Sequence, residues 1–326
     1  MTKHLFTTLF LFFLFNNVAA QYSNCYYYKL NKASSLIDVE KYEEANEILL
    51  AEKEKVDEIH LMHCLYLAKS SAGIGNEKAC FSYMEQAILR GTTWATFERA
   101  EVYKPFHETE NWKLLKEKYP KLQKEYYNNL NLSIHLKILK QYEQDQTIRR
   151  FYIYQRKIDT TQAKIIGDYM NRIDSLSMVF LKELVEENGF PDWNEAGFYG
   201  NAYVYIMLKH GLRFNDWAWE FFEPVMKKAV DEGKLMPFQY KSIVDDRHRC
   251  QKEPQWYGIW ECDSKNCRTD YTVEEIQEID KNRLKLGLLT LGEVRETKTI
   301  SIFPDNYEPL DETTKSNLLN CNETND

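Results

Sequence analysis

The sequence predicts a mainly α fold, in which helical hairpins are followed by an α-helical domain with a small β-hairpin. Apolar side chains recur at spacings of three and four residues over most of the chain, as they do in amphipathic helices. Only 12 glycines and 8 prolines occur among 326 residues, which disfavours a turn-rich β-sandwich and a glycine-rich nucleotide-binding loop. Capping residues and helix-ending glycines divide the periodic runs into separate helices.

The composition is that of a globular protein with an excess of acidic side chains. Hydrophobic residues make up 44% of the chain and charged residues 28%, which is enough apolar surface for a packed core. The 42 basic and 50 acidic side chains give a formal net charge of −8. Because nucleic-acid binding needs a basic face, we expect no nucleic acid among the partners and favour a protein or peptide.

Residues 1–20 have the layout of a secretory signal peptide. Lys3 precedes the almost wholly apolar run 5–15, and segment 16–20 then places small residues at the positions that a signal peptidase reads. The apolar run is shorter than the about 20 helical residues that span a bilayer core. We predict cleavage after Ala20, export to the periplasm or the medium, and no transmembrane segment in the mature chain. The alternative is an uncleaved N-terminal anchor.

All seven cysteines follow the predicted cleavage site and so belong to the mature chain. Export would take them to a compartment in which disulfides can form. Since seven is odd, at least one thiol is free or pairs outside the chain. Cys262 and Cys267 flank a turn-forming segment and are the first candidate pair, and Cys64 and Cys80, on adjacent predicted helices, are the second. The alternative is a metal site, but zinc sites favour such a cysteine pair with a second pair or histidines nearby, and only His248 and Cys250 lie close in sequence. We therefore expect neither a metal centre nor a cofactor.

Domain 21–125 is predicted to contain paired helices. Their apolar stripes predict helices over 26–38, 41–54, 58–72 and 76–89. An offset of 34 residues superposes Glu43 on Glu77 and Ala45 on Ala79. A period of this length, with small alanines in the second helix, is typical of tetratricopeptide repeats.

The region therefore resembles a tetratricopeptide array. Segment 75–88 is similar to the last helix of a bacterial array, and segment 91–115, with Trp94 and Trp112, is similar to the segment that closes such arrays. The resemblance implies that a peptide or protein partner binds in a concave groove. The alternative is a helical spacer that packs on the next domain.

Domain 126–295 is predicted to be helical without the repeat. Helices are expected over 132–155, 162–188, 195–210, 216–232, 237–252 and 272–286. Helix 162–188 carries a row of apolar residues on one face, namely Ile165, Tyr169, Ile173, Leu176, Phe180 and Leu184. A short β-hairpin is expected near 255–271. Region 296–326 is expected to hold a strand over 297–303 and a mobile tail from about residue 304.

Nine polar or charged residues of this domain form an ordered set, namely Asp145, Gln146, Arg149, His210, Asp246, Arg247, Gln255, Tyr257 and Arg283. Their order and spacing over 140–292 resemble a bacterial family known only as a domain of unknown function. That family shows an Asp-Gln-x-x-Arg start, a central His, an Asp-Arg pair and an Arg…Leu-Gly-Leu end. The resemblance implies relatives but no reaction.

Two interpretations of this set stay open. Asp145 and Arg149, one helical turn apart, suit a local ion pair, and His210 suits a helix C-terminus. Alternatively the set meets in one cleft, where an Asp acts as general base, His as acid or base, and Arg holds an anion. The leading functional prediction is an exported protein that binds a partner or peptide through its helical repeats. The alternative is a hydrolase-type enzyme that uses the Asp/His/Arg/Gln cleft.

Overall fold

The computed structural model describes residues 23–258, 271–297, 307–319 and 321. Within these residues the chain forms α-helices and one 3-10 helix, and no strand, so the prediction of a mainly α fold is confirmed. The helices are α1 (Asn24–Asp38), α2 (Tyr42–Lys53), α3 (Leu61–Gly73), α4 (Glu77–Ile88), α5 (Trp94–Glu98), a 3-10 helix (Glu101–Phe106), α6 (Glu110–Asn129), α7 (Leu132–Gln155), α8 (Thr160–Asn188), α9 (Gly197–Gly211), α10 (Asp216–Asp231), α11 (Pro237–Gln251), α12 (Val273–Lys285), α13 (Leu291–Thr297) and α14 (Glu312–Leu319).

Helices α1–α4 pack in sequence as two hairpins, and α6 lies against α4. Small residues at the contacts let the helix axes approach closely: Ala45 and Ala68 are fully buried, and the Tyr42 ring covers Gly73 so closely that no side chain would fit there. The predicted boundary between residues 125 and 126 falls inside α6. The connection to the second helical region lies instead at residues 130 and 131, between α6 and α7.

The second region is built on a long antiparallel hairpin of α7 and α8. Asn131 caps α7 by accepting a hydrogen bond from the Ile134 amide at 3.3 Å, and α8 ends at Gly189, whose φ is 79°. Helix α9 packs against both α7 and α8, and α11 packs against α9 and α10. The core between these helices consists of large apolar side chains that include Ile138 and Met178.

The end of the chain returns to its beginning. Helices α12–α14 pack against α1, and Cys321 forms a disulfide with Cys25 across 296 residues of sequence. Tyr28 of α1 donates a hydrogen bond to Glu293 of α13 at 2.5 Å. The expectation of a mobile tail is therefore wrong for residues 307–319, because this part includes helix α14, whose Leu319 is buried against α1 and α12 residues.

Two further predictions are corrected. Cys64 and Cys80 are buried free thiols and not a disulfide. Cys80 instead lies 3.7 Å from the Met84 sulfur, one turn along its own helix, and burial raises the pKa of both thiols, to about 11 for Cys64 and about 12 for Cys80. The small β-hairpin is not supported, because residues 255–258 and 271 form no strand and residues 259–270 are not described.

Several predictions concern residues outside the described part of the chain. They are the signal peptide over 1–20, the disulfide between Cys262 and Cys267, and most of the strand over 297–303. No helix in the described part combines the length and the apolar character needed to cross a membrane.

Candidate functional site

Four of the predicted site residues meet at the carboxylate of Asp145. This carboxylate is fully buried and accepts hydrogen bonds from Gln146 Nε2 at 2.6 Å and from Arg149 Nη2 at 3.1 Å. His210, in the last turn of α9, places its Nδ1 atom 3.1 Å from both carboxylate oxygens. Arg149 also bonds Asp174 of α8, so one guanidinium joins two acids. Three helices are therefore held together at one point.

The pKa values of the two acids in this group shift in opposite directions. Burial raises the pKa of the Asp145 carboxyl, but the hydrogen bonds and charges of His210 and Arg149 outweigh it, and the pKa falls to about 2. Burial also raises the pKa of Asp174, and attraction to Arg149 does not reverse that rise. An ionised Asp145 carboxylate can only accept hydrogen bonds. The Nδ1 atom of His210 therefore carries a hydrogen and donates the hydrogen bond to Asp145.

The same group has the ligand types of a metal site. Oxygens of Asp145 and Asp174 and a ring nitrogen of His210 lie within 4.8 Å of one another, a spacing that fits one divalent ion such as zinc. The Arg149 guanidinium, however, bonds both carboxylates and supplies the positive charge between them. An ion would have to displace this guanidinium, so the geometry favours an ion-pair network that fixes helix packing.

Asp246 lies on α11 and has two arginine partners. It accepts a hydrogen bond from Arg213 Nε at 2.6 Å and another from Arg249, three residues along the same helix. Burial raises the pKa of the Asp246 carboxyl, but the hydrogen bonds and charges of Arg249 and Arg213 outweigh it and lower the pKa. This pair of contacts ties the residues that follow α9 to α11.

Arg247 fastens the turn between α9 and α10. Its Nη1 donates to the Leu212 carbonyl oxygen at 2.7 Å, and its Nη2 lies 2.7 Å from a carboxylate oxygen of Asp216. The guanidinium carbon also lies 5.0 Å from the centre of the Trp219 ring. A guanidinium with these three partners holds the start of α10 in place.

The last predicted residues surround the chain after α11. Asp245 accepts the main-chain N–H of Tyr257 at 3.0 Å, and Arg283 donates to the Tyr257 carbonyl oxygen at 2.8 Å and to the Leu289 carbonyl oxygen at 2.5 Å. Burial lowers the pKa of Arg283 to about 10. Gln255 is half-buried at a shallow groove against α12. The nine residues thus divide into four sets with different surroundings, and the expected single cleft is not what they form.

A pocket of about 380 Å³ lies elsewhere, where the helical hairpins meet the second region. Its walls are residues 58–61 at the start of α3, residues 89 and 90 after α4, four residues near the end of α6, residues 192–194 before α9, and residues 232–234 after α10. Both regions therefore contribute to one concave surface.

Tyr126 locks the two regions together beside this pocket. Its hydroxyl accepts the main-chain N–H of Phe198 at 3.1 Å. The ring lies against Gly91 and Gly197, whose φ values are 100° and 75°, and a side chain at either glycine would collide with it. Burial raises the pKa of Tyr126 to about 12, so the hydroxyl stays neutral.

Trp193 and His60 form an aromatic wall of the pocket. The Trp193 Nε1 atom donates a hydrogen bond to the Gly233 carbonyl oxygen at 3.1 Å. The centres of the Trp193 and His60 rings are 4.4 Å apart in an edge-to-face arrangement. His60 Nδ1 accepts the main-chain N–H of Met62 at 3.1 Å and so caps α3. Burial lowers the pKa of His60 to about 3, which keeps this ring neutral at physiological pH.

The charged lining of the pocket is mainly acidic. Four acidic and two basic side chains line it. Arg90 pairs with Glu58 and Lys234 pairs with Glu232, each at 3.1 Å. Glu125 is exposed at the rim and has no ion-pair partner among the described residues. The rim therefore presents negative charge to a ligand.

Sequence reasoning missed Asp174, Arg213 and Trp193. Asp174 lies 25 residues from Arg149, and Arg213 lies 33 residues from Asp246, so no helical spacing connects these partners. Trp193 lies two residues after Pro191, in the Gly-Phe-Pro segment that follows α8, and an aromatic residue after such a turn-forming segment was a usable signal.

The two resemblances drawn from sequence motifs stay predictions, because comparison with other proteins adds no relative. No known protein family, curated protein or solved structure matches the chain at a significant level.

Proposed function

We propose that the protein is an exported binding protein whose junction pocket takes a peptide segment of a partner. The single observation that carries the proposal is the pocket of about 380 Å³ with walls from both helical regions. This volume lies within the range of ligand sites, about 300–1,000 Å³, and accepts one or two side chains of a peptide.

The lining supports a segment that carries a lysine or arginine side chain. Two of the four acids already neutralise Arg90 and Lys234, which leaves Glu125 at the rim without a described cation. Asp192 adds a second negative charge, although its carboxylate also accepts two main-chain N–H groups. A cationic side chain placed between these acids gains favourable electrostatic energy, and the Trp193 wall can pack against its aliphatic stem.

The walls are already ordered, which lowers the entropy cost of binding. The hydrogen bonds of Trp193 with Gly233 and of Tyr126 with Phe198 fix both sides of the pocket. A binding site that needs no reordering keeps more of its contact energy as affinity.

Export is part of the proposal. The disulfide of Cys25 with Cys321 is compatible with an oxidising compartment, and the N-terminal pattern of residues 1–20 favours secretion. The hydrolase alternative has weaker support. A carboxyl whose pKa is about 2 is a poor general base at neutral pH, and Asp145 already accepts hydrogen bonds from three side chains of its own chain.

A peptide-array experiment tests the proposal with a matched pair of variants. Asn129 and Asn128 are both exposed at the end of α6, but only Asn129 lines the pocket. Arrays of short random peptides are probed with the wild-type protein, with Asn129→Trp, and with Asn128→Trp. We expect the bound peptides to be enriched in lysine and arginine, and Asn129→Trp to weaken their binding at least about tenfold while Asn128→Trp leaves it unchanged.

A second variant tests the negative charge of Glu125 at the rim of the pocket. Glu125→Lys should reduce capture of basic peptides without reducing thermal stability, because this side chain has no described ion-pair partner to lose. Equal binding by Asn129→Trp and Asn128→Trp, or enrichment of acidic peptides by the wild type, would contradict the proposal.

A further inference from the structure

One side of the α7–α8 hairpin is apolar and exposed. Ile148 and Phe151 of α7 line a groove of about 700 Å³ together with Tyr169 of α8. Ile165 and Leu176 lie four residues before and seven residues after Tyr169, so helical geometry continues the same row along α8. These five side chains are called the hairpin face below.

Three members of the hairpin face, Ile165, Tyr169 and Leu176, belong to the apolar stripe that periodicity predicts along α8. Phe151, Ile165, Tyr169 and Leu176 are 61%, 67%, 54% and 51% exposed. Further along the same helix Leu184 is buried, as the periodicity predicts. Helix α9 covers the opposite side of the hairpin, where Tyr142 and Tyr203 stack at 4.0 Å. The apolar stripe of α8 is therefore only partly covered: Ile173 is buried by the hairpin itself, whereas Ile165, Tyr169 and Leu176 stay exposed within the described part of the chain.

The exposed apolar side chains supply a large part of the area that a stable interface buries. At roughly 200 Å² for each large side chain, the four residues present about 450 Å² of apolar surface. This is more than half of the roughly 800 Å² that each partner buries in a standard interface. A patch of this kind on a chain surface marks an interaction site.

We propose that the hairpin face binds the hairpin face of a second copy of this chain. Two antiparallel helices with an apolar face are half of a four-helix bundle, and a second identical pair completes the bundle. A two-fold interface puts the same patch on both sides, so the patch must complement itself.

The charges around the face meet that requirement. The groove is lined by one base, Lys140, and one acid, Glu143, so it carries no net charge. Along α8, Asp168 and Arg172 stand four residues apart and are exposed beside the row. The chain as a whole carries a net charge of −8, which repels a second copy at most orientations. At this face each acid of one copy can instead meet a base of the other.

Sedimentation equilibrium of the full chain tests the proposal with a matched pair. Phe151 lines the groove, whereas Ile153, two residues away and 58% exposed, points to the opposite side of α7. We expect a wild-type dimer, which Phe151→Glu weakens at least about 30-fold and Ile153→Glu does not change. Since both side chains are exposed, both variants should fold, which circular dichroism checks.

A charge exchange separates self-association from other occupants. Lys140→Glu should weaken the dimer, and the double variant Lys140→Glu with Glu143→Lys should restore it, because both copies change together. A wild-type monomer at all concentrations would overturn the proposal and leave the face to a different protein or a lipid surface. Equal weakening by Phe151→Glu and Ile153→Glu, or by neither, would overturn it as well. None of these residues lines the junction pocket, so failure here is independent of peptide binding.

Discussion

Replacing Asp145 by Asn isolates the charge at the centre of the α7–α8–α9 contact. The substitution keeps the size of the side chain and removes the negative charge that Arg149 and His210 share. Asp145 is fully buried and the Arg149 side chain is only 13% exposed, so solvent screens this attraction weakly. The guanidinium would retain Asp174 as its one remaining acid.

The pKa of Asp145 sets the size of the effect. A fall from the ordinary value of 3.8 to about 2 corresponds to about 2.5 kcal/mol of stability at pH 7. Because the folded-state pKa lies below the unfolded one, this contribution is complete above about pH 5 and is lost as the pH falls towards 2. About 1 kcal/mol of it is gone by pH 3. The raised pKa of Asp174 acts in the opposite sense, since its contribution is present at low pH and declines as the pH rises.

Urea unfolding followed by circular dichroism at pH 7, 5 and 3 measures both parts. We expect Asp145→Asn to lower the free energy of unfolding at pH 7 by about 3 kcal/mol, because an Arg and a His lose a buried partner. The loss between pH 5 and pH 3 should be about 1 kcal/mol smaller than in the wild type. Glu186→Gln is the control, since its pair with Lys182 is exposed and worth about 0.5 kcal/mol or less. An unfolding free energy of Asp145→Asn equal to that of the wild type at pH 7 would refute the reasoning.

Two further predictions concern the ends of the chain and the junction. Replacing Cys25 by Ser removes a cross-link over 296 residues and should lower the free energy of unfolding by about 5 kcal/mol, measured by thermal or urea unfolding. Cys250→Ser, which changes a free thiol, is the control and should lower it little. Equal losses in the two variants would contradict a structural disulfide. Gly189→Ala should lower the free energy of unfolding by about 1–2 kcal/mol through the strain of a positive φ alone, because no atom lies within 4 Å of the added Cβ. Gly197→Ala should lose a further roughly 1–3 kcal/mol through collision with Tyr126, and equal melting temperatures for the two variants would exclude that contact.

The helices could be predicted from the sequence where their signals are local. Helix α7 has the predicted bounds because Asn131 supplies a cap and the apolar period is unbroken behind it. The ion pair of Asp145 with Arg149 follows from a spacing of four residues on that helix. Such features depend on neighbours within one or two turns, which the sequence shows directly.

The remaining features depend on contacts between distant segments. The spacing of the cysteines favours local pairs, but the disulfide joins Cys25 to Cys321, and only the packing of α12–α14 on α1 brings them together. Periodicity correctly marks Ile165 and Tyr169 as one face of α8, yet it cannot say which surface covers that face. The junction pocket likewise requires five segments to meet, and no single one of them carries a motif.

The most direct test of the central claim is to map where a bound peptide lies. A peptide selected on the array, carrying a photoactivatable group, is cross-linked to the full chain, and the attachment sites are identified by mass spectrometry. Peptide binding in the junction pocket predicts cross-links to residues 58–61, 192–194 and 232–234, with loss of these in Asn129→Trp. Cross-links confined to the surfaces of α1 and α2 or to the α7–α8 groove would contradict it.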